Sequence, residues 1–288
     1  MGTKFTFHGF HYVEVDGWPG DLGMQDIRDI VIHTDMRRTG YFSCSNPLLN
    51  KLHENVLWSM RGNFVSIPTD SPQRDERLGW TGDINVFADT ANFLYDTAGM
   101  LSSWLRDLSL EQNAGIPPLI VPNIIEGFDK DAHAVWGDVA IMLPWSLFIA
   151  FGDTTLLSRQ YSSMEAWLEA IPRSPSNLWN YTAKWKLGDW LDPAAPPDDC
   201  GNATTDPDLV SDAFLVHVTS LIGVISSTLD KKLDQARYAA LGAELRRAFS
   251  DEYITPSGRL AADTQTGFAL AIYFPLFPTE SQEQRARD

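Results

Sequence analysis

The sequence predicts a mainly α-helical protein in which helical hairpins succeed one another as an α/α toroid, with a short extended segment in front. Three observations carry this expectation. Apolar residues recur at helical spacing in about eight separate stretches. Those stretches are joined alternately by short turns and by long aromatic or acidic loops. No strand–helix–strand alternation and no Gly-rich phosphate loop occurs. A four-helix bundle has no use for so many elements.

Residues 1–40 read as a β segment and linker. FTFHGFHYVEV (5–15) alternates large rings with smaller or polar residues, Gly17 and Pro19-Gly20 punctuate it, and IRDIVIHTDM (27–36) follows as a second extended run. This start inside a strand pattern suggests a piece of something longer. From residue 41 the helical domain takes over. Ser45 or Asn46 can cap a first helix, Pro47 suits its first turn, and Leu48, Leu49, Leu52, Val56, Leu57 and Met60 share its apolar spacing.

The polar segment 68–79 lacks a period. Helices are expected from Trp80 to Leu94 and over 100–112, before the Pro-rich connection 115–127. Further helices fall at 134–150 and 160–170. A long loop rich in Pro, Gly and Asp spans 188–208. Helices at 210–229 and 232–250 meet at a turn around Asp230, and another begins near Asp263. Aliphatic residues of these helices are expected to build the core. Long loops on one side of the hairpins would form one concave face, where function is usually carried.

Twenty-two basic residues against 38 acidic ones leave a formal charge of −16. Such a surface repels a phosphate backbone, so nucleic acid is a poor partner. No apolar stretch is read as long enough to cross a membrane, and the N-terminus lacks the basic head and apolar run of a signal peptide. Location stays open. Two cysteines, Cys44 and Cys200, exclude a disulfide scaffold and a four-cysteine zinc module, although they could form one bond. The six histidines are scattered, so no metal site is expected, and no cofactor motif appears. Ten Trp, fifteen Phe and eight Tyr suggest a large core together with a ring-lined pocket.

The densest chemistry is DSPQRDERLGWTGD (70–83). Asp70, Asp75, Glu76 and Asp83 can surround a small polar ligand, and crowded carboxylates raise one another's pKa, which preserves a proton donor near neutral pH. Arg74 or Arg77 would hold a neighbouring carboxylate ionised, and Trp80 offers a flat apolar surface to a sugar ring. A capping loop with Asp75 and Glu76 paired to surface arginines fits the same composition.

FTFHGFHYVEV and FSCSNPLLNKLHENVLWSMRGNFVSIPTDSPQRDERLGWTGD resemble the bacterial and fungal α-L-rhamnosidases of glycoside hydrolase family 78. The likeness continues in order through NAGIPPLIVPN, AVWGDVAIMLPWSLFIAFGD, KLGDWLDP and DTQTGFALAIYFPL. It implies an incomplete (α/α)6 six-hairpin toroid over 41–288, with a fragment of an adjacent β-sandwich before it. It also implies inverting hydrolysis of terminal α-L-rhamnose from glycosides or polysaccharides. Glu76 takes the position of the general acid, and Asp70 and Asp83 those of carboxylates that hold sugar hydroxyls. Trp80, Trp136 and Trp190 match ring-lined positions, with Trp185 close to the last. Arg74, Asp75, Glu126 and Asp189 are further candidates, and Asp129 flanks Glu126. Ser71 replaces a cysteine common in the family motif.

The family's base is a glutamate in a Trp-Glu pair after a Gly-Ala-Thr-Thr-like stretch, and no such segment occurs here. Glu280 and Glu283 lie in a polar tail without matching surroundings. The expectations are therefore a chain that is inactive or very weak alone, with exposed apolar helix faces that favour self-association. A non-catalytic rhamnose-binding protein and an inactive fragment are the alternatives. Asp138 and Asp189, each after a Gly, read equally well as helix caps.

Overall fold

A computed structural model describes residues 6–125, 127–128, 130–181 and 186–287. Among them are nine helices: α1 (Pro47–Asn63), α2 (Thr81–Leu94), α3 (Ala98–Glu111), α4 (Val139–Phe151), α5 (Thr154–Ala170), α6 (Pro207–Thr228), α7 (Lys232–Tyr253), α8 (Gln265–Tyr273) and α9 (Glu280–Arg287). A two-residue ribbon, β1 (Phe64–Val65) and β2 (Ile67–Pro68), follows α1.

Local chemistry starts several of these helices. Asn46 accepts from the Leu48 amide at 2.9 Å and Pro47 fills the first turn of α1. Asp153, Asp206 and Thr264 cap α5, α6 and α8 in the same way. Gly152 ends α4 in left-handed backbone. Helix α4 carries Pro144 in its interior, which costs about 3 kcal/mol. Val139, Ile141, Leu143 and Leu147 are buried and contribute about 1.5–3 kcal/mol each, so burial outweighs the missing amide.

Helix α2 packs on α4, α4 on α6, and α6 on α8, while α3 packs on α5. The even-numbered helices thus form one layer, backed by odd-numbered ones. Trp104, Trp167, Tyr238 and Phe249 are the bulkiest fully buried residues of the shared core. Loops entering the N-termini of α2, α4, α6 and α8 are long, whereas the turns leaving their C-termini are short. This alternation gathers the long loops at one end of the helical layer, as the sequence pattern implied.

Four expectations are corrected. Residues 6–36 contain no strand: Tyr12 is 92% exposed, and Phe10, Val13, Ile30 and Val31 also face solvent. A strand needs a ladder of alternating amides; here single backbone bonds, from Gly9 to Pro72 O and from Thr34 to Phe64 O, tie the segment to its neighbours, too few for a ladder. Leu48, Leu49 and Leu52 of α1 are exposed rather than core, because nothing described packs on that face. Helix α6 is in fact long and apolar enough to span a membrane, with mean hydropathy 1.8, but 83% of that window is buried by the fold. The polar tail holding Glu280 and Glu283 forms α9, whose Arg287 pairs with Glu283.

Candidate active site

The acidic loop runs from the β1–β2 ribbon into α2. Asp70 closes it: its carboxylate accepts from the Leu78 amide at 3.0 Å and from the Ser71 hydroxyl at 3.1 Å, and its own amide donates to the Leu78 carbonyl. Only 9% of the Asp70 side chain is exposed. Arg74 Nη2 lies 3.4 Å from Asp70 Oδ2 and 3.4 Å from Glu76 Oε2, so a single guanidinium joins the two carboxylates. The Glu76 side chain is 44% exposed.

Asp83 stands in the first turn of α2. It keeps exposed surface, yet its carboxyl is pushed up to about 6, first by burial and then by the neighbouring negative charge of Asp70 and Glu76. Asp70 and Asp83 share a recess of about 210 Å³ with Asn63, Thr69, Pro68 and Phe87.

The start of α2 is fixed by the Pro-rich connection. The Val121 amide donates to Gly79 O at 2.9 Å, and the Thr81 amide to Leu119 O at 2.9 Å. A Cβ on Gly79 would lie 2.1 Å from Val121 O, so only glycine allows this approach. Trp80, between these bonds, is half-buried and meets Phe128 edge-on, with ring centroids 5.9 Å apart. Trp136 is 7% exposed and packs over Gly82, and its indole nitrogen has no hydrogen-bond partner among the described residues.

Asp70, Arg74, Glu76 and Asp83 are therefore brought together, with Trp80 and Trp136 flanking Asp83 through the start of α2. The other candidates fare differently. Asp75 is exposed and pairs with no cation among the described residues. Arg77 holds no carboxylate among the described residues; it donates to the Phe7 carbonyl and covers the Phe7 ring. Trp190, 39% exposed, packs by Gly201 in the 188–206 loop. Asp189 caps no helix: it lies in a turn and accepts from Thr205 Oγ1 at 2.9 Å. Glu126, Asp129 and Trp185 lie outside the described residues.

Asp138 occupies the N-cap of α4 but makes no cap bond. It is wholly buried and accepts instead from Trp167 Nε1 at 2.9 Å and from the Val135 amide at 2.7 Å. Burial pushes its carboxyl up to about 6. Phe128 and Asn85 escaped the sequence reading, since neither stands in a charged cluster. Cys44 and Cys200 are free thiols. No group of three potential metal ligands occurs among the described residues.

Residues 37–288 match the family model described as the bacterial alpha-L-rhamnosidase 6 hairpin glycosidase domain. The chain belongs to this family. It is 38% identical over 276 residues to an alpha-L-rhamnosidase of Streptomyces avermitilis, covering 96% of this chain and 25% of that protein. The native alpha-L-rhamnosidase of Aspergillus terreus superposes with a TM-score of 0.94 at 50% identity, over 97% of this chain and 33% of the other. A Streptomyces avermitilis alpha-L-rhamnosidase complexed with L-rhamnose gives 0.79 at 35% identity, over 88% and 23%. The chain thus spans about a quarter to a third of the length of these relatives. The mainly helical layer of hairpins is that of the six-hairpin domain.

Proposed function

We propose that this chain carries the proton-donating and sugar-recognising part of an inverting α-L-rhamnosidase. Glu76 protonates the departing glycosidic oxygen, Asp70 and Asp83 accept hydrogen bonds from sugar hydroxyls, and Trp80 and Trp136 bury the C–H face of the ring, with Trp190 reaching it from the 188–206 loop. The observation that supports this reading is the Arg74 bridge, which ties Glu76 to Asp70, itself a lining residue of the recess with Asp83. The relatives' names supply the substrate class, rhamnose-containing glycosides.

Inversion needs a second carboxyl about 6.5–9.5 Å from the first, with water between them. The chain lacks the Trp-Glu segment that supplies it in the family, so turnover by these 288 residues alone is very low. Azide needs no base to attack. With an alkyl α-L-rhamnoside, azide should therefore support slow cleavage, and Glu76→Gln should abolish it while rhamnose affinity persists. Azide-supported cleavage of equal rate in Glu76→Gln would reject the acid assignment.

A rhamnose-binding role without turnover is favoured by the same recess, since Asp70 and Asp83 stand there independently of a base. Calorimetric binding together with no azide-supported cleavage would select it. Exposed Leu48 and Leu52 on α1 and Val86 and Phe93 on α2 support self-association, which light scattering tests.

A further inference from the structure

Val135 is a β-branched residue in left-handed backbone, with φ 68°. That conformation crowds Cβ against the carbonyl and is rare for valine. It persists only where the surroundings hold it. Here both polar atoms of the Val135 backbone are held. Its N–H donates to Asp138 Oδ2 at 2.7 Å, and its carbonyl accepts from Asn85 Nδ2 at 2.8 Å. Both holders are buried, Asp138 completely.

The chemistry at Asp138 is specific. Its other oxygen accepts from the Trp167 indole, a bond that an asparagine carbonyl would make equally well. A carboxylate accepts from both N–H donors at once, whereas a carboxamide, in either orientation, would turn its NH2 against the Trp167 indole or the Val135 amide. Asn85 lies two residues after Asp83 on α2, so its bond ties the loop before α4 to the helix that carries Asp83. The residue next to the held peptide is Trp136, with its ring against Gly82.

We infer that Asp138 and Asn85 are positioning residues that clamp the Val135 peptide and thereby fix the Trp136 indole beside Asp83 as one wall of the sugar site. The sugar part of this inference rests on the reading proposed above. The clamp itself does not.

The test uses the 288-residue chain, with amide exchange and indole resonances followed by NMR and L-rhamnose binding followed by calorimetry. In the wild type the Val135 amide should be strongly protected. Asp138→Ala and Asn85→Ala should each shift the Trp136 indole signal, and Asp138→Ala should weaken rhamnose binding about tenfold. Trp167→Phe removes the other bond to the same carboxylate. It should lower the melting temperature yet leave affinity within about twofold.

A freely exchanging Val135 amide would overturn the clamp whether or not the variants fold. So would an unmoved Trp136 signal in folded Asp138→Ala or Asn85→Ala, or equal losses of affinity in Trp167→Phe and Asp138→Ala. If the wild type binds no rhamnose, the sugar-site reading falls, while protection of Val135 and the indole shift still decide the clamp.

Discussion

The Trp136 indole occupies the space that a side chain on Gly82 would need: a Cβ there would lie 2.5 Å from Cε2 of the ring. Real Cβ atoms do not approach so closely, so the ring and the start of α2 are mutually exclusive with any larger residue at position 82. Glycine at this position is a packing requirement of the candidate site rather than a feature of the helix.

Gly82→Ala should therefore push Trp136 out of its seat. Overpacking costs about 1–3 kcal/mol, against at most about 1 kcal/mol gained in helix propensity. The net expectation is a lower melting temperature and weaker rhamnose binding. A variant with unchanged affinity and an unchanged melt would show that the ring moves aside freely.

Asp70 and Arg74 share an ion pair but differ in what the fold owes them. Asp70 is nearly buried and closes the loop through the Leu78 amide, whereas the Arg74 side chain is 57% exposed. Arg74→Gln should change stability by about 0–1 kcal/mol. Asp70→Asn should cost more, about 1–3 kcal/mol, by disturbing a buried acceptor. Denaturant melts of both variants at neutral pH test the order, and a reversed order would refute it.

Asp83 gives a pH signature of definite sign. Its folded pKa, about 6, lies above the ordinary value of 3.8, so the folded chain binds more protons in that window. The burial penalty on its carboxylate is absent below about pH 4, grows as the pH rises, and is complete above about pH 6. Asp83→Asn should raise the melting temperature near pH 7, gain nothing near pH 4, and lose rhamnose affinity. Asp138 and Asp212 carry shifts of the same direction, so the difference between variant and wild type is the quantity to read.

His217 acts with the opposite sign. It stacks on Phe274 with centroids 4.0 Å apart, and burial pushes its pKa down to about 4. Stability tied to the neutral ring is present above about pH 6.5 and is lost as the pH falls toward 4. His217→Phe keeps an aromatic ring for this stack without a titrating group. Its advantage over the wild type should be larger at pH 4.5 than at pH 7.5, and thermal melts at the two values would expose the reverse.

Helix positions were legible because apolar period, Pro47 and the cap at Asn46 are local signals that agree with one another. The cluster 70–83 was legible for a similar reason: its carboxylates, arginines and tryptophan are neighbours in the chain. The strand pattern at 5–15 misled, since alternation states only which faces a strand would have, and strands need a partner. Exposure of Leu48 and Leu52 was equally hidden, because a helical stripe does not say what covers it.

The sequence by itself determined the order of helices, the alternation of long and short connections, and the acidic loop with Glu76 in it. Tertiary structure alone decided that Arg74 rather than Arg77 joins the carboxylates, that Phe128 meets Trp80, and that Asp138 and Asn85 grip the peptide before Trp136. The division has a physical cause. Periodicity and capping act within a few residues of chain, whereas the Asn85–Val135 and Arg77–Phe7 bonds span 50 and 70 residues and depend on which segments lie side by side once the core has formed.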